Sequence, residues 1–405
     1  MPRDTAAQPR RRDPGRHQNL GGILRRVHAA PRSRSDLTRA TGLNRSTIAA
    51  LVGELIDRGL VVEDDANGVG AVGRPSPLVR PSDRAVAIAI HPEIDAVRVG
   101  AVLPGGRVLR VERVACTEPP SVDDVVQIAV EAVAAIRTTL ASDTVVVGAG
   151  VAVPGLVRVA DGFVRLAPHL GWHEEPLAER LAARLGMPVR AANEATLGAA
   201  AEWVFGAGIG VHDLLYVNGG RSGIGGGIVA GGVPLVGAGG HAGEIGHVTV
   251  ASDDTTDSAG LPGTLEAHVT HQALERAVGL VGVGSAALTR AVVDSDRPEV
   301  VALVRQQVRA LSTALASVVN VLGTERVVLG GFLAVLLAAD GAGLRAEFHR
   351  HVLGPLEDVD IRAAVLGDDI LLIGAAALPF DRVVEDLPDL DAAEAGRLAS
   401  ASIME

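Results

Sequence analysis

The sequence predicts an α/β protein that carries a small helical head at its N-terminus. Residues 18–62 have the pattern of three short helices, and two short strands follow before residue 80. After residue 83, strand-like and helical segments alternate, with helices predicted over Leu177–Leu185 and Pro298–Leu322. The chain has 49 Gly but only 2% aromatic residues, a composition that favours tight turns and Ala/Val/Leu packing.

Length and composition exclude several classes of protein. A chain of 405 residues predicts two or three domains. No apolar run reaches the ~18–20 residues that would span a bilayer, and no apolar segment follows Arg10–Arg12 as a secretory signal would require. The lone Cys116 excludes an internal disulfide framework and a multi-cysteine zinc site. We therefore expect a cytoplasmic protein without a membrane segment.

Charge is divided unevenly between the head and the rest of the chain. Residues 1–80 carry 14 Arg against 8 Asp and Glu, a balance of +6, and the remainder carries 23 against 40, a balance of −17. All basic residues other than His are Arg. This asymmetry is expected when only the head meets a polyanion. Residues 1–17 are predicted as a disordered basic tail, either solvated or in contact with that polyanion.

The head has the pattern of a winged helix-turn-helix over residues 18–80. Ser33 and Asp36 have the spacing of a capping box that opens the second helix. Gly42 provides the turn to the third helix, and Asn44 is a suitable N-cap for it. The apolar residues of the third helix recur at helical spacing and predict one buried face: Ile48, Leu51, Val52 and Leu55.

Short polar and basic side chains stand where a recognition helix would meet DNA. Arg45, Ser46 and Thr47 lie at the N-terminal end of the third helix, the end that enters a major groove. Arg74 lies in the wing, within reach of a minor groove or a phosphate. These residues predict binding to a double-stranded DNA operator by a homodimer or homotetramer. The alternative is a three-helix domain that binds protein.

Several segments of the body have a familiar pattern: Val153-Pro154-Gly155, Leu170-Gly171-Trp172, Gly223–Gly227, His241–His247 and Gly263–Glu266. On these segments residues 83–380 resemble the ROK family (repressors, open reading frames and kinases), and residues 18–80 resemble the winged head of its repressor branch. The resemblance implies a two-lobed body of the ribonuclease-H-like/actin-like ATPase fold with a sugar in the cleft. Residues 381–405 are expected to form a C-terminal helical tail.

The body departs from the kinase members at the turn that approaches ATP phosphates. Their Asp-x-Gly-x-Thr is replaced by Ala89-Ile90-His91-Pro92-Glu93. Pro92 lacks an N–H donor, and the Glu93 carboxylate would repel phosphates. The second glycine-rich stretch, Arg221–Gly225, is better kept, although such a stretch also suits a tight turn. We expect no kinase chemistry and no cofactor.

The position of the family's catalytic base is also altered. The family's Asn-Asp-Ala-Asn run reads Asn193-Glu194-Ala195-Thr196 here. The extra methylene of Glu194 shifts the carboxylate by more than ~1 Å, a displacement that can cost on the order of 10²-fold in rate. No catalytic residue is therefore assigned. The sequence leaves three roles open for Glu194: a displaced base, a hydrogen-bond partner of a sugar hydroxyl, or a surface or capping residue.

The structural zinc that many family members carry is not expected in this chain. The resemblance places its histidine at His247, but the three cysteine positions fall on Asp257, Ala259 and Thr264. One His and one Asp do not complete a tetrahedral site. The sequence leaves open what orders residues 251–264.

The residues that the family turns towards the sugar are better preserved. By resemblance they are Asn193, Glu194, Glu244, His247 and Glu266, although His169 replaces an Asn of many relatives. Carboxylates and an amide suit several hydroxyl groups. The leading hypothesis is a repressor of sugar metabolism or transport that responds to a sugar or sugar phosphate. The alternatives are an ATP-dependent, glucokinase-like sugar kinase and a DNA-binding dimer without a small-molecule ligand.

Overall fold

In its described residues, the N-terminal head contains three helices and a three-stranded antiparallel sheet. The computed structural model describes residues 14–64, 77–280, 282 and 285–391; Arg74 and residues 1–13 and 392–405 therefore lie outside the described part of the chain. The sheet has the order β1-β3-β2. The elements of the head are α1 (Pro14–Ala29), β1 (Arg32–Ser33), α2 (Arg34–Thr41), α3 (Arg45–Asp57), β2 (Val61–Asp64) and β3 (Leu78–Pro81).

The capping and turn residues that the sequence predicted in the head are confirmed. Ser33 and Asp36 form the predicted capping box, and Gly42 adopts a left-handed conformation with φ of 71°. The side chain of Asn44 accepts a hydrogen bond from the backbone N–H of Thr47 and so caps α3. The predicted apolar face of α3 is fully buried.

The first helix begins earlier than predicted. It starts at Pro14, so residues 14–17 of the predicted disordered tail are helical. Proline is well suited to a first helical turn. Arg16 forms an ion pair with Glu54 of α3, with Nη2 and Oε2 2.6 Å apart, and Nε2 of His17 lies 2.6 Å from the carbonyl oxygen of Glu385. These tertiary contacts hold the first turn in place, and composition does not reveal them.

The first lobe of the body contains a five-stranded mixed sheet with the order β11-β7-β4-β5-β6. A separate three-stranded sheet has the order β10-β9-β8. The elements in chain order are β4 (Ala85–Pro92), β5 (Ala96–Leu103), β6 (Arg107–Ala115), α4 (Val122–Arg137), β7 (Val145–Val153), β8 (Leu156–Arg158), β9 (Phe163–Ala167), β10 (Trp172–Glu175), α5 (Leu177–Leu185), β11 (Val189–Asn193) and α6 (Glu194–Phe205).

The second lobe has a five-stranded sheet with the order β14-β13-β12-β15-β16. The elements that follow α6 in the chain are β12 (Leu214–Gly220), β13 (Gly223–Ala230), β14 (Val233–Pro234), α7 (Leu265–His268), α8 (His271–Val278), α9 (Ser285–Val293), α10 (Pro298–Leu322), β15 (Arg326–Gly331), α11 (Phe332–His351), β16 (Asp360–Ala363) and α12 (Ile370–Asp386). None of the helices in the described part of the chain combines the length and the apolar composition of a membrane span.

The two large sheets repeat one topology. In each, an antiparallel three-strand unit (β4-β5-β6 or β12-β13-β14) is extended by two parallel strands beside its first strand. Helices cover the outer face of each sheet. This repeat is the two-lobed, ribonuclease-H-like architecture that was expected.

Helices α6 and α12 pack against each other between the lobes. α6 contacts β12 and β13 of the second lobe, whereas α12 contacts β4 and β7 of the first. Glycines permit the close approach. A Cβ atom added at Gly150 would lie 1.8 Å from the carbonyl oxygen of Ala375, and one added at Gly374 would lie 2.5 Å from that of Leu197.

Helix α12 also joins the body to the head. It crosses the expected boundary at residue 381, so residues 381–386 continue a packed body helix and do not open a separate tail. His28 of α1 packs against Phe205 of α6 and Phe380 of α12, with ring centroids 5.4 and 5.1 Å apart. One hydrophobic core therefore extends from the head through α12 to the facing sides of both sheets.

Candidate functional site

The N-terminal end of α3 presents an arginine to solvent. Arg45 is exposed, and within the described ranges it has no ion-pair partner. The hydroxyl group of Ser46 donates a hydrogen bond to Oδ1 of Asn44 at 2.7 Å, and the backbone N–H of Thr47 donates to the same oxygen at 2.8 Å. Of the three predicted DNA contacts on α3, Ser46 thus takes part in the helix cap through its side chain and Thr47 through its backbone, whereas Arg45 extends into solvent.

An ion pair that was not predicted from the sequence fixes the wing strand β2 to α2. The guanidinium group of Arg34 donates from Nε and Nη2 to the two carboxylate oxygens of Glu63, at 2.8 and 2.7 Å. The bidentate geometry holds the two elements in one relative orientation. The predicted wing contact Arg74 lies outside the described residues.

Asn193, predicted to bind sugar, has a structural role at the end of β11. Its Oδ1 accepts hydrogen bonds from the backbone N–H groups of Ala195 and Thr196 at 2.9 and 3.2 Å, which caps α6. Its Nδ2 donates to the carbonyl oxygen of Gly155 at 2.9 Å. These bonds place Glu194 at the first turn of α6.

Glu194 is engaged by His91, which stands at a glycine position of the family's phosphate turn. Nε2 of His91 lies 2.9 Å from Oε2 of Glu194, and Nδ1 lies 3.4 Å from Oε1 of Glu93. Burial disfavours a charge on His91, but the hydrogen bond to Glu194 and the two negative carboxylates outweigh it and raise the pKa of His91 to about 9. The carboxylate at the base position is therefore paired with a buried imidazolium.

The imidazole ring of His247 is hydrogen-bonded to the buried carboxylate of Asp257. Its Nδ1 lies 2.8 Å from Oδ2 of Asp257, whose side chain is fully buried. Burial alone would raise the pKa of Asp257, but hydrogen bonds from His247, Leu261 and Thr264 lower it below the ordinary value. Asp257 thus stays ionised.

Glu244 and Glu266 lie near His247. Oε2 of Glu244 is 4.0 Å from Nε2 of His247. Partial burial, with the negative charge of Glu266 adding to it, raises the pKa of Glu244 above the ordinary value. Oε2 of Glu266 accepts the backbone N–H of Ile224 at 2.8 Å, and Oε1 accepts the backbone N–H of Ser258 at 3.3 Å. Glu244 therefore keeps more freedom to meet a ligand than Glu266 does.

The five predicted ligand residues form two groups. Glu244, His247 and Glu266 make one, and Asn193 with Glu194 makes the other, at the start of α6. The glycines of β13 allow the start of α6 and the segment around Gly243 to lie close to this strand. A Cβ atom added at Gly225 or Gly227 would meet Ala195, whereas one added at Gly226 would lie 2.7 Å from the carbonyl oxygen of Gly243. Within the described residues, no hydrogen bond or ion pair joins the two groups.

The glycine-rich stretch near residue 221 forms the β12–β13 hairpin. Gly220 pairs with Gly223, so Arg221 and Ser222 make a two-residue turn. The guanidinium group of Arg221 donates to Glu275 of α8 at 3.0 Å. The stretch thus forms a tight turn, a geometry that is compatible with both interpretations left open by the sequence.

Comparison with known proteins agrees with the architecture. The sequence profile of the ROK family matches residues 94–382. The chain is 31% identical over 299 residues to a protein of Caldicellulosiruptor sp. strain Rt8B.4 provisionally named a xylose repressor, covering 72% of this chain and 74% of that one. It is also 30% identical over 253 residues to a glucokinase of Halalkalibacterium halodurans, covering 57% and 76%.

The fold is also that of a solved regulator. A crystal structure of a ROK family transcriptional regulator, described as a homologue of the E. coli MLC protein, superposes with a TM-score of 0.74 over 92% of this chain and 97% of that one. At 24% identity this likeness shows the fold alone. The profile match covers well over half of the chain, and the chain belongs to the ROK family.

Proposed function

We propose that this protein is a DNA-binding transcriptional regulator, a repressor whose body binds a sugar and does not transfer phosphate. The observation that carries the proposal is the exposed, capped N-terminus of α3, with Arg45 free in the head. A recognition helix needs this arrangement, because its N-terminal residues meet base edges in the major groove. The basic balance of residues 1–80 supports the same conclusion.

The operator is double-stranded DNA bound by two heads. One head contacts only a half-site, so we infer a homodimer or a homotetramer. Arg34 and Glu63 hold strand β2 against α2 and so fix the position of the described end of that strand near Asp64. We propose that Arg74 contacts the adjacent minor groove or a phosphate.

The side chains near His247 suit a polyhydroxylated ligand. Glu244 and His247 present an acceptor pair 4.0 Å apart, beside Glu266. A ligand that favours one relative position of the lobes would act on the α6–α12 pair, which lies between the lobes and touches α1 of the head. Such a ligand controls DNA binding only through different affinities for the two states. The provisional name of the Caldicellulosiruptor relative makes xylose the first sugar to try.

The pairing of His91 with Glu194 argues against kinase activity, which the glucokinase relative would otherwise favour. A general base must accept a proton from the substrate hydroxyl. The Glu194 carboxylate instead receives a hydrogen bond from a buried imidazolium. Pro92 and the Glu93 carboxylate stand where kinase members approach phosphates, and both disfavour a nucleotide.

DNA binding is tested by selecting bound sequences from a random double-stranded pool, followed by footprinting and gel shift at physiological salt. Arg45→Ala should weaken specific binding about 10- to 100-fold, since a bidentate arginine–base contact is worth about 1–3 kcal/mol. Arg309→Ala, an exposed arginine of α10, is the matched control and should bind like the unaltered protein. If no specific sequence is selected, or both variants bind alike, the proposal is wrong.

Ligand binding and catalysis are tested separately. Calorimetry against xylose, glucose and their phosphates should detect binding of at least one, and Glu244→Gln should weaken it. Sugar-dependent release of ADP from ATP should stay at background. Binding with ADP release that is abolished by Glu194→Ala would identify a kinase. The absence of any heat or melting shift would identify a regulator without a small-molecule ligand.

A further inference from the structure

The side chain of Asp257 is the centre of the segment 247–264. Its Oδ2 accepts hydrogen bonds from Nδ1 of His247 at 2.8 Å and from the hydroxyl group of Thr264 at 2.9 Å. Its Oδ1 accepts the backbone N–H groups of Ala259 and Leu261, both at 2.9 Å. One fully buried carboxylate thus receives four hydrogen bonds from four points along the segment.

We propose that Asp257 takes the structural place of a metal ion in this segment and fixes the tautomer of His247. In many ROK proteins a zinc ion joins the positions of His247, Asp257, Ala259 and Thr264. Here Ala259 offers only its backbone, and the Thr264 hydroxyl donates to Asp257. Nδ1 of His247 is also already bound. No group of three or more His, Cys, Asp or Glu side chains in the described parts of the chain is arranged to hold a metal ion. The residues present do not fit zinc.

The Asp257 carboxylate connects the same parts of the segment that a zinc ion would connect. It connects His247 to Thr264, and the hydroxyl oxygen of Thr264 in turn accepts the backbone N–H of Ala267 at 3.3 Å, which caps α7. α7 carries Glu266. Two residues of the candidate ligand cluster are therefore held through one side chain that does not itself belong to the cluster. Backbone bridges between Thr249 and Thr264 and between Thr256 and Pro262 close the same segment.

The direction of the hydrogen bonds determines the proton position on His247. An ionised carboxylate can only accept, so Nδ1 of His247 must carry the proton. In the neutral ring, Nε2 then has a free lone pair on the side of Glu244. For the proposed sugar, on whose binding this last step rests, His247 would accept a hydrogen bond from a hydroxyl group. Asp257 is thus a positioning residue.

The tautomer is tested with Asp257→Asn in the full chain. The backbone N–H groups of Ala259 and Leu261 need an acceptor, so they should take the amide oxygen and turn the amide N–H₂ towards His247. Nδ1 then becomes an acceptor and the proton moves to Nε2. Long-range ¹H–¹⁵N NMR, assigned with His247→Gln, should show the Nδ1–H form in the unaltered protein and the Nε2–H form in the variant. An unchanged tautomer would overturn the proposal.

Metal independence is measured on the same protein without DNA or sugar. Purified protein should contain well under one zinc per chain, and a chelator should leave the unfolding midpoint unchanged. Asp257→Ala should lower the midpoint by about 5 °C or more, because four buried hydrogen bonds are lost.

Asp253→Ala is the matched control for stability. Asp253 also faces a histidine, His268, at 3.2 Å, but its side chain is 48% exposed, so the midpoint should shift by about 1 °C or less. One zinc per chain, or equal shifts in the two variants, would contradict the proposal. These readouts do not depend on an operator or an effector, so their failure is distinct from failure of the proposed function.

Discussion

Nε2 of His91 lies 2.9 Å from Oε2 of Glu194, and the two residues are 103 positions apart in the chain. The imidazole is buried, with Glu93 on its other side. His91 lies in the stretch that corresponds to the phosphate turn of kinase members, and Glu194 lies at the position of their catalytic base. In this protein the two side chains contact each other. The two altered motifs from which we expected no kinase chemistry therefore meet in one hydrogen-bonded pair.

The His91–Glu194 pair predicts that the folded protein loses stability as the pH rises above about 6.5. The pKa of His91 is about 9 in the folded state and about 6.5 in the unfolded chain. The stabilisation is therefore fully present below pH 6.5 and lost as pH rises through 9. Relative to His91→Gln, the unaltered protein should lose up to about 3 kcal/mol between pH 6.5 and 9.5. Urea unfolding at several pH values measures this, and a constant difference between the two proteins would contradict it.

Acid pH should weaken the junction between head and body. Burial lowers the pKa of His28 to about 4, below its unfolded value of about 6.5. The unfolded chain therefore takes up a proton first, and stability falls as pH decreases from 6.5 towards 4, by up to about 3 kcal/mol. His28→Phe, which keeps a ring against Phe205 and Phe380, should remove this dependence. Equal pH profiles of the two proteins in urea unfolding would exclude it.

Close packing between the lobes predicts a strong effect of one methyl group. Gly150→Ala would place Cβ 1.8 Å from the carbonyl oxygen of Ala375 in α12, so strand β7 and α12 must separate. We expect a loss of about 2 kcal/mol or more in unfolding free energy. Gly53→Ala in α3 has open space around the added atom and should be neutral or stabilising by about 1 kcal/mol or less. Similar losses in the two variants would contradict this packing.

If α3 is the recognition helix that we propose, its N-terminal cap should affect DNA affinity more than overall stability. Asn44→Ala removes the acceptor for the N–H of Thr47 and should cost about 1 kcal/mol. Because α3 carries Arg45, operator affinity measured by fluorescence anisotropy should fall several-fold. Ser121→Ala removes the equivalent cap of α4 in the body and should cost similar stability while leaving affinity unchanged. Equal affinities of the two variants would count against α3 as the DNA-reading element.

Local signals predicted the regular elements well. α5 and α10 begin and end where the sequence predicted, at Leu177–Leu185 and Pro298–Leu322. Periodicity and capping residues act within one or two turns, so a single sequence shows them. β6 was missed because its mostly exposed residues, many of them Arg and Glu, lack an apolar pattern. Its pairing with β5 determines that strand.

The candidate site was predicted less completely. Its residues could be named from motifs, but not their partners. The sequence suggested that Asn193 and Glu266 bind a ligand, whereas their side chains also hold α6 and β13. Only the fold reveals which polar groups are already satisfied, because hydrogen-bond partners arrive from distant segments.

The sequence by itself determined the helical head, the α/β body and the departure from the Asp-x-Gly-x-Thr pattern of the kinase members, since each depends on residues close together in the chain. The tertiary structure decided which of the residues at the altered positions contact each other. Strand pairing and the packing of α6 brought His91 to Glu194, and the folding of residues 247–264 brought His247 and Thr264 to Asp257. Buried charges need partners, and the three-dimensional arrangement alone determines which partners they find.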